Sequence, residues 1–246
     1  MTQLTESNVL IVIPALNEER SISSVVSAVK SAGYEVLVVD DGSSDETYSI
    51  AKRSGALVME LSMNLGVGGA LQSGFAYAIE NGFEAVIQID GDGQHPSAEI
   101  ARLIDAANKS NADMVTGSRF LDASTSMDVS MPRRLGMHLL RSVATRSCKT
   151  TITDASSGFR LIRRPLLTEF AKSFPSHYLG DTFEALVISG RRNYKVVEVP
   201  APFSNREFGQ SSSSSWWSLL LVFRALVVTA LGLHFQLPEK SLNKAD

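Results

Sequence analysis

The sequence predicts an α/β domain built on a mostly parallel sheet with helices on both faces. Three observations carry this. Short apolar runs and helical i, i+3, i+4, i+7 spacings alternate four times in about the first 115 residues. The apolar runs end in polar and acidic residues: Pro14, Asn17 and Glu18, then Asp40 and Asp41, then Asp90 and Asp92. Ligands bind beyond the carboxyl ends of the strands in such sheets. The chain has 246 residues, 44% of them hydrophobic, enough for one large α/β domain or one domain with an appendage.

Residues 9–13 form an apolar run stopped by Pro14, a buried strand. Ile22, Val25, Val26 and Val29 then mark one face of a helix ending near Gly33. Residues 35–39 are a second strand, followed by an acidic turn in which Ser44 or Asp45 can cap the next helix. That helix runs to about Ser54, and residues 56–61 give a third strand. Residues 64–74 begin glycine-rich and become a helix carrying Leu71, Phe75, Ala78 and Ile79, closed by Asn81 and Gly82. A strand then leads into IQIDGDGQHP, residues 87–96, where two aspartates deliver hard oxygen ligands to a sheet edge. Ile100, Leu103, Ile104 and Ala107 repeat the helical spacing, and residues 114–116 form a brief strand before Arg119.

Beyond residue 120 the pattern loosens. Residues 122–132 read as a loop. Residues 133–149 read as a helix with Leu135, Leu139 and Val143 inside. Its arginines suit either a solvated face or contact with phosphate and anionic membrane. Residues 156–160 lead a short strand, residues 177–190 a helix holding Asp181 and Glu184, and residues 194–199 a strand ended by Pro200. Five serines, Ser211 to Ser215, form a hinge. The apolar residues 216–233 run from Trp216 and Trp217 to Leu233, with Arg224 near the middle. A helix of that length measures ~27 Å, short for a hydrocarbon core of ~30 Å. Docking in the membrane interface fits it best; a partner protein and a poor span are the alternatives.

Several classes are excluded. A formal charge of −3 and a pI near 5.9 argue against a nucleic-acid partner. The single cysteine, Cys148, rules out an intrachain disulfide framework and reads as buried and inert. The N-terminus has no basic segment followed by an apolar one, so the body of the chain is expected in the cytoplasm. The glycines at 66, 68 and 69 fail the dinucleotide pattern, because Leu71 stands at its last position; no Walker A pattern occurs, and the histidines lack zincin spacing. His95 alone lies beside the acidic cluster, and a local hydrogen bond would explain it equally well.

The motifs VIPALNEE (12–19), VVDDGSSDET (38–47), NLGVGGALQSG (64–74) and DGDGQHP (90–96), in this order, resemble the family 2 glycosyltransferases of GT-A fold over about residues 8–210. DASSGFR (154–160) and VPAPFSNREFGQS (199–211) are most similar to the polyprenyl-phosphate sugar transferases of the dolichyl-phosphate mannose synthase type. The resemblance implies a GT-A domain over residues 1–210 and a hinge with a docking helix over 211–246. It implies a nucleotide pocket of Pro14, Leu16, Glu18 and Asp41, with Asp90 facing ribose or phosphate. Asp92 and Gln94 would ligate Mg²⁺ or Mn²⁺, and Arg119, Arg160 and Arg206 would contact phosphates. The implied reaction moves a hexose, with inversion, from a GDP- or UDP-linked sugar to polyprenyl phosphate at the cytoplasmic face of a membrane. A phosphate acceptor needs no general base, whereas a sugar hydroxyl on a lipid-linked or polysaccharide acceptor would need one, with Asp181 and Glu184 as candidates. A catalytically silent nucleotide-sugar-binding subunit is the third reading; in either case a membrane-protein partner or a second copy is compatible. One departure is visible. The lipid-phosphate transferases usually show Gly-x-Ser-Lys near the end, and here Ser212 stands where the lysine would be.

Overall fold

The computed structural model describes residues 2–121, 131–175 and 180–203. Arg206, the serine hinge and residues 216–233 lie outside the described residues, as does most of the expected loop after residue 121. Fifteen elements follow in order: β1 (Val9–Ala15), α1 (Ile22–Ser31), β2 (Glu35–Asp40), α2 (Thr47–Arg53), β3 (Leu57–Glu60), α3 (Gly66–Glu80), β4 (Ala85–Gln88), α4 (Ile100–Ser110), β5 (Met114–Ser118), α5 (Met131–Cys148), β6 (Arg160–Arg163), α6 (Leu166–Lys172), a π turn (Gly180–Glu184), α7 (Ala185–Arg191) and β7 (Val196–Pro200).

The seven strands form one sheet in the order β3-β2-β1-β4-β6-β5-β7. All pairings are parallel except those of β6, which runs antiparallel to both β4 and β5. The chain leaves β1 in one direction for β2 and β3 and returns on the other side as β4. The edge beyond β1 and β4 is therefore a topological switch point, where such sheets leave a crevice.

Strand alternation assigns the two cores. Ile11 and Ile13 of β1 face α1 and α4, packing with Ile22, Val26, Leu103 and Ala107. Leu10 and Val12 face the other way, packing with Leu71 and Phe75 of α3 and with Phe170 of α6. Both sheet faces are covered, which is why β1 and β2 read as continuous apolar runs rather than alternating ones. Helix α3 lies very close to β1: a Cβ at Gly74 would come within 2.5 Å of Val12 Cγ1.

In α5, among the residues whose side chains are described, Gly136, Leu140 and Ala144 are buried. Of the residues read as internal, Val143 is half-buried against the core and Leu139 is 44% exposed, which corrects the reading at Leu139; the Leu135 side chain lies outside the described residues. Of the helix read over 177–190, the described part is helical from Gly180, beginning as a π turn, Gly180–Glu184, that runs on into α7. Such π segments are frequent at functional sites.

Helix α7 crosses α5 at Gly190, where an added Cβ would lie 2.4 Å from the main chain of Ser147 and 2.5 Å from that of Cys148. Main chain cannot swing aside as a flexible side chain can. Gly190→Ala should destabilise the protein by about 2 kcal/mol, read as a lower midpoint in urea unfolding; an unchanged midpoint would refute this account of the crossing.

Candidate active site

The crevice at the switch point is a cleft of about 310 Å³. Pro14 and Glu18 from the β1 loop, Asp90 and Asp92 from the β4 loop, and Asp181 from the π turn all line it. Of the twelve residues expected at the site, these five share one cavity. Sheet topology brings the first four together: β1 and β4 are parallel neighbours, so their C-terminal loops leave the sheet side by side. Asp181 arrives from the face carrying α3, α5 and α7.

The acidic loop is built by its own hydrogen bonds. Asp92 is buried, and its Oδ1 accepts the N–H of Gln94 at 3.0 Å. Gln94 itself is half-buried and does not line the cleft. The side chain of Asp90 is 40% exposed and open to the cavity. His95 folds back beneath it, with Nδ1 accepting the N–H of Asp90 at 3.0 Å. Burial lowers the pKa of His95, against the charges of Asp90 and Asp92, which favours the neutral ring.

The neighbouring acidic turn supports the β1 loop. Asp40 Oδ1 accepts the N–H of Ser43, and Asp41 Oδ1 accepts that of Leu65 at the mouth of α3. Asp41 is buried, and Leu16 is exposed at 42%; neither lines the cleft. The N-cap of α2 is Glu46, without a side-chain cap; Asp45, one of the two residues expected to cap, stands one position before it and accepts from the N–H and hydroxyl of Thr47. Glu18 donates its main-chain N–H to Thr47 Oγ1 and accepts the hydroxyl of Ser21, which fixes the loop over the cleft.

The arginines divide. Arg119 is locked to Asp154 by two parallel bonds, Nε to Oδ2 at 2.7 Å and Nη2 to Oδ1 at 2.9 Å. Its Nη2 also donates to Ser156, a cleft residue. The guanidinium lies over the rings of Phe120 and Phe203. Arg160 differs from the expectation of an open phosphate contact. It is 1% exposed and donates to the main-chain carbonyls of Ser157 and Asp181. It ties the π turn to the 154–160 segment from below. Gln88, Arg160 and Thr116 stand side by side across β4, β6 and β5, and each has a buried polar atom without a partner among the described residues. The floor next to the cleft is thus polar rather than closed by apolar core.

Glu198 on β7 has a role that sequence reading missed. Its carboxylate accepts the N–H groups of Thr153 and Asp154 and the hydroxyl of Thr153. It therefore seats the loop that holds Arg119. The signal was present as a lone acid among valines in VVEVP.

Burial pushes the Asp181 carboxyl up to about 6, with Arg160 opposing and Asp90 reinforcing the rise. Glu184, three residues on, is outside the cleft lining. The folded-state pKa of Asp181 lies above its unfolded value, so charging this group opposes folding. That cost is fully present above about pH 6 and is relieved as pH falls toward 4. Comparing Asp181→Asn with the parent chain by urea unfolding, the difference should move by about 3 kcal/mol in favour of Asn between pH 4 and pH 8. A difference constant across that range would remove the assigned shift.

A seven-stranded α/β sheet with an acidic crevice at its switch point is the architecture of a GT-A glycosyltransferase. The chain belongs to glycosyl transferase family 2, whose model matches residues 10–170, and it is accordingly a glycosyltransferase. It is 25% identical to the UDP-N-acetylglucosamine–dolichyl-phosphate N-acetylglucosaminyltransferase of Methanococcus voltae, over 93% of this chain and 98% of that one. It is 29% identical to the polyprenol monophosphomannose synthase of Mycolicibacterium smegmatis, over 83% and 80% of the two chains. The undecaprenyl-phosphate mannosyltransferase of Micrococcus luteus is also 29% identical, over 84% and 87%. Among solved structures, glucosyl-3-phosphoglycerate synthase from Mycobacterium tuberculosis, in complex with Mn²⁺, uridine diphosphate and phosphoglyceric acid, superimposes with a TM-score of 0.67. It shares 22% identity, over 92% of this chain and 78% of that one. Among the described residues no helix is long and apolar enough to cross a membrane.

Proposed function

We propose that this glycosyltransferase moves a hexose of mannose or glucose type from a GDP- or UDP-linked donor to polyprenyl phosphate, inverting the anomeric carbon. The observation that carries the reading is the shared cleft: Asp90 and Asp92 at the end of β4, with Arg119 reaching its wall through Ser156. The names of the three curated relatives support the acceptor, since each joins a sugar to a dolichyl, polyprenol or undecaprenyl phosphate. Their sugars differ, so they do not choose the donor.

A divalent ion, Mg²⁺ or Mn²⁺, fits the oxygen donors present. Asp92 and Gln94 would hold it, and it would stabilise negative charge on the departing diphosphate. Among the described residues no cluster of three or more His, Cys, Asp or Glu could hold an ion unaided. Binding is therefore expected only together with the nucleotide diphosphate, whose oxygens complete the shell. Pro14 and Glu18, which line the cleft, form the nucleotide side, with Leu16 and Asp41 on the adjoining loops outside its lining, and Asp90 faces the ribose or phosphate of the donor. Arg119 and Arg206 attract phosphate, while Arg160 acts by holding Asp181 and the 157 segment in place. The phosphate oxygen of the acceptor attacks the anomeric carbon as the bond to the nucleoside diphosphate breaks. Residues 216–233 dock the domain peripherally on the cytoplasmic face.

A second reading takes a sugar hydroxyl as acceptor. Asp181 favours it, because a cleft carboxyl with a pKa of about 6 is well placed to remove a proton near neutrality. The deciding experiment screens radiolabelled GDP- and UDP-sugars against polyprenyl phosphate, with the product tested for mild-acid lability. Asp181→Asn should keep its rate within about threefold in that assay, since an ionised phosphate needs no base. A parent chain that makes no acid-labile product from polyprenyl phosphate would favour the hydroxyl reading.

A further inference from the structure

One buried side chain holds the amide of Asp90 and stands close to its carboxylate. The main-chain N–H of Asp90 donates to His95 Nδ1 at 3.0 Å, and Nε2 of the same ring lies 3.6 Å from Asp90 Oδ2. Because Nδ1 accepts, the proton of the neutral ring belongs on Nε2, facing the carboxylate. The ring is itself fixed. Phe203 meets it edge-on at 4.6 Å and Phe159 lies 5.3 Å away. The His95 side chain is 2% exposed, whereas that of Asp90 is 40% exposed. A hidden, rigid group thus faces an open, functional one.

Gly158 also comes close to Asp90. A Cβ on Gly158 would stand 3.1 and 3.2 Å from the two carboxylate oxygens. The carboxylate is thus approached by both an imidazole and a bare Cα. A histidine that merely satisfied a buried amide would need neither the second nitrogen turned to the carboxylate nor a glycine close to it.

We propose that His95 is a positioning residue: it aims the Asp90 carboxylate into the cleft in the orientation the donor nucleotide meets, with Gly158 leaving the room. This rests on the nucleotide-sugar reading of the site. Groups that orient a binding side chain through a hydrogen bond change affinity by about 10- to 100-fold when removed.

The test compares the parent chain with His95→Phe, His95→Asn and Gly158→Ala. Phe fills the aromatic cage and deletes both polar contacts. Asn keeps an acceptor one bond from Cγ, as Nδ1 is. Two quantities are measured: amide hydrogen exchange at Asp90 without ligand, and calorimetric binding of UDP and GDP with Mn²⁺. His95→Phe should lose Asp90 protection and weaken nucleotide binding by about tenfold or more, and His95→Asn should restore the protection but not the binding. Gly158→Ala should weaken binding similarly while His95 is intact, which tests the room left at the carboxylate even if His95→Phe folds poorly. Unchanged nucleotide affinity in His95→Phe, or in Gly158→Ala, overturns the proposal, as does an Asp90 amide whose exchange ignores residue 95. If the parent chain binds neither nucleotide, the functional reading fails separately, and exchange lost in Phe but kept in Asn still supports the hold on Asp90.

Discussion

Asp92→Ala should reduce sugar transfer by at least about 100-fold, and a chelator added to the parent chain should do the same. Asp92 is buried at the end of β4, beside the open carboxylate of Asp90, and lines the cleft with it. Among the described residues no third metal-binding side chain is clustered there to compensate. His95, the nearest imidazole, spends Nδ1 on the Asp90 amide. Asp92→Asn separates charge from architecture, because an amide oxygen can still accept the Gln94 N–H that Asp92 now accepts. Asp92→Asn should keep the thermal midpoint of the parent, while both variants lose transfer of radiolabelled sugar. Full transfer by either variant, or in chelator, would sink the metal role of Asp92.

The second large effect is on stability and lies at Asp154. Its side chain is 1% exposed and meets Arg119 through two parallel hydrogen bonds. It also accepts the N–H and hydroxyl of Ser156. Asp154→Ala would strand a largely enclosed guanidinium and leave these donors without their acceptor. Removing one partner of a buried pair costs about 3–5 kcal/mol, and the low end applies because Arg119 keeps 27% exposure. Urea unfolding should show a loss of about 3 kcal/mol, and transfer should fall further than stability alone explains, since Arg119 is no longer aimed. Arg119→Ala leaves Asp154 buried and unpaired and should destabilise comparably. A loss below about 1 kcal/mol in Asp154→Ala would place the pair among weak surface bridges.

The parts of the fold legible in sequence share a physical cause. β1, β2 and β4 are covered on both faces, so they appear as unbroken apolar runs, and their ends show as abrupt changes to Asp or Pro. α1 and α4 bury one stripe each, and their periodicity names the buried residues correctly. β6 was only partly legible, and its antiparallel insertion between β4 and β5 was not, because Arg160-Leu-Ile-Arg163 is too short and too charged to declare a central strand. In α5 Leu139 was read as internal where Leu140 is the buried residue, since the two are chemically equal and only packing distinguishes them.

The same division runs through the site. By itself the sequence determined that carboxylates stand at the carboxyl ends of apolar strands, and its motif order pointed to the glycosyltransferase family. Local patterning suffices for that, because a strand and the turn after it are neighbours along the chain. Only the tertiary structure decided which of those groups meet. It brought Asp181 into the cleft and left Glu184 out, turned Arg160 inward to carbonyls, and set Arg119 on Asp154 and Asp154 on Glu198. It also placed His95 beneath Asp90 rather than among the open ligands. Those choices depend on strand order and on which desolvated polar groups find partners, and residues separated by 35 or 44 positions carry no periodic signal of their pairing.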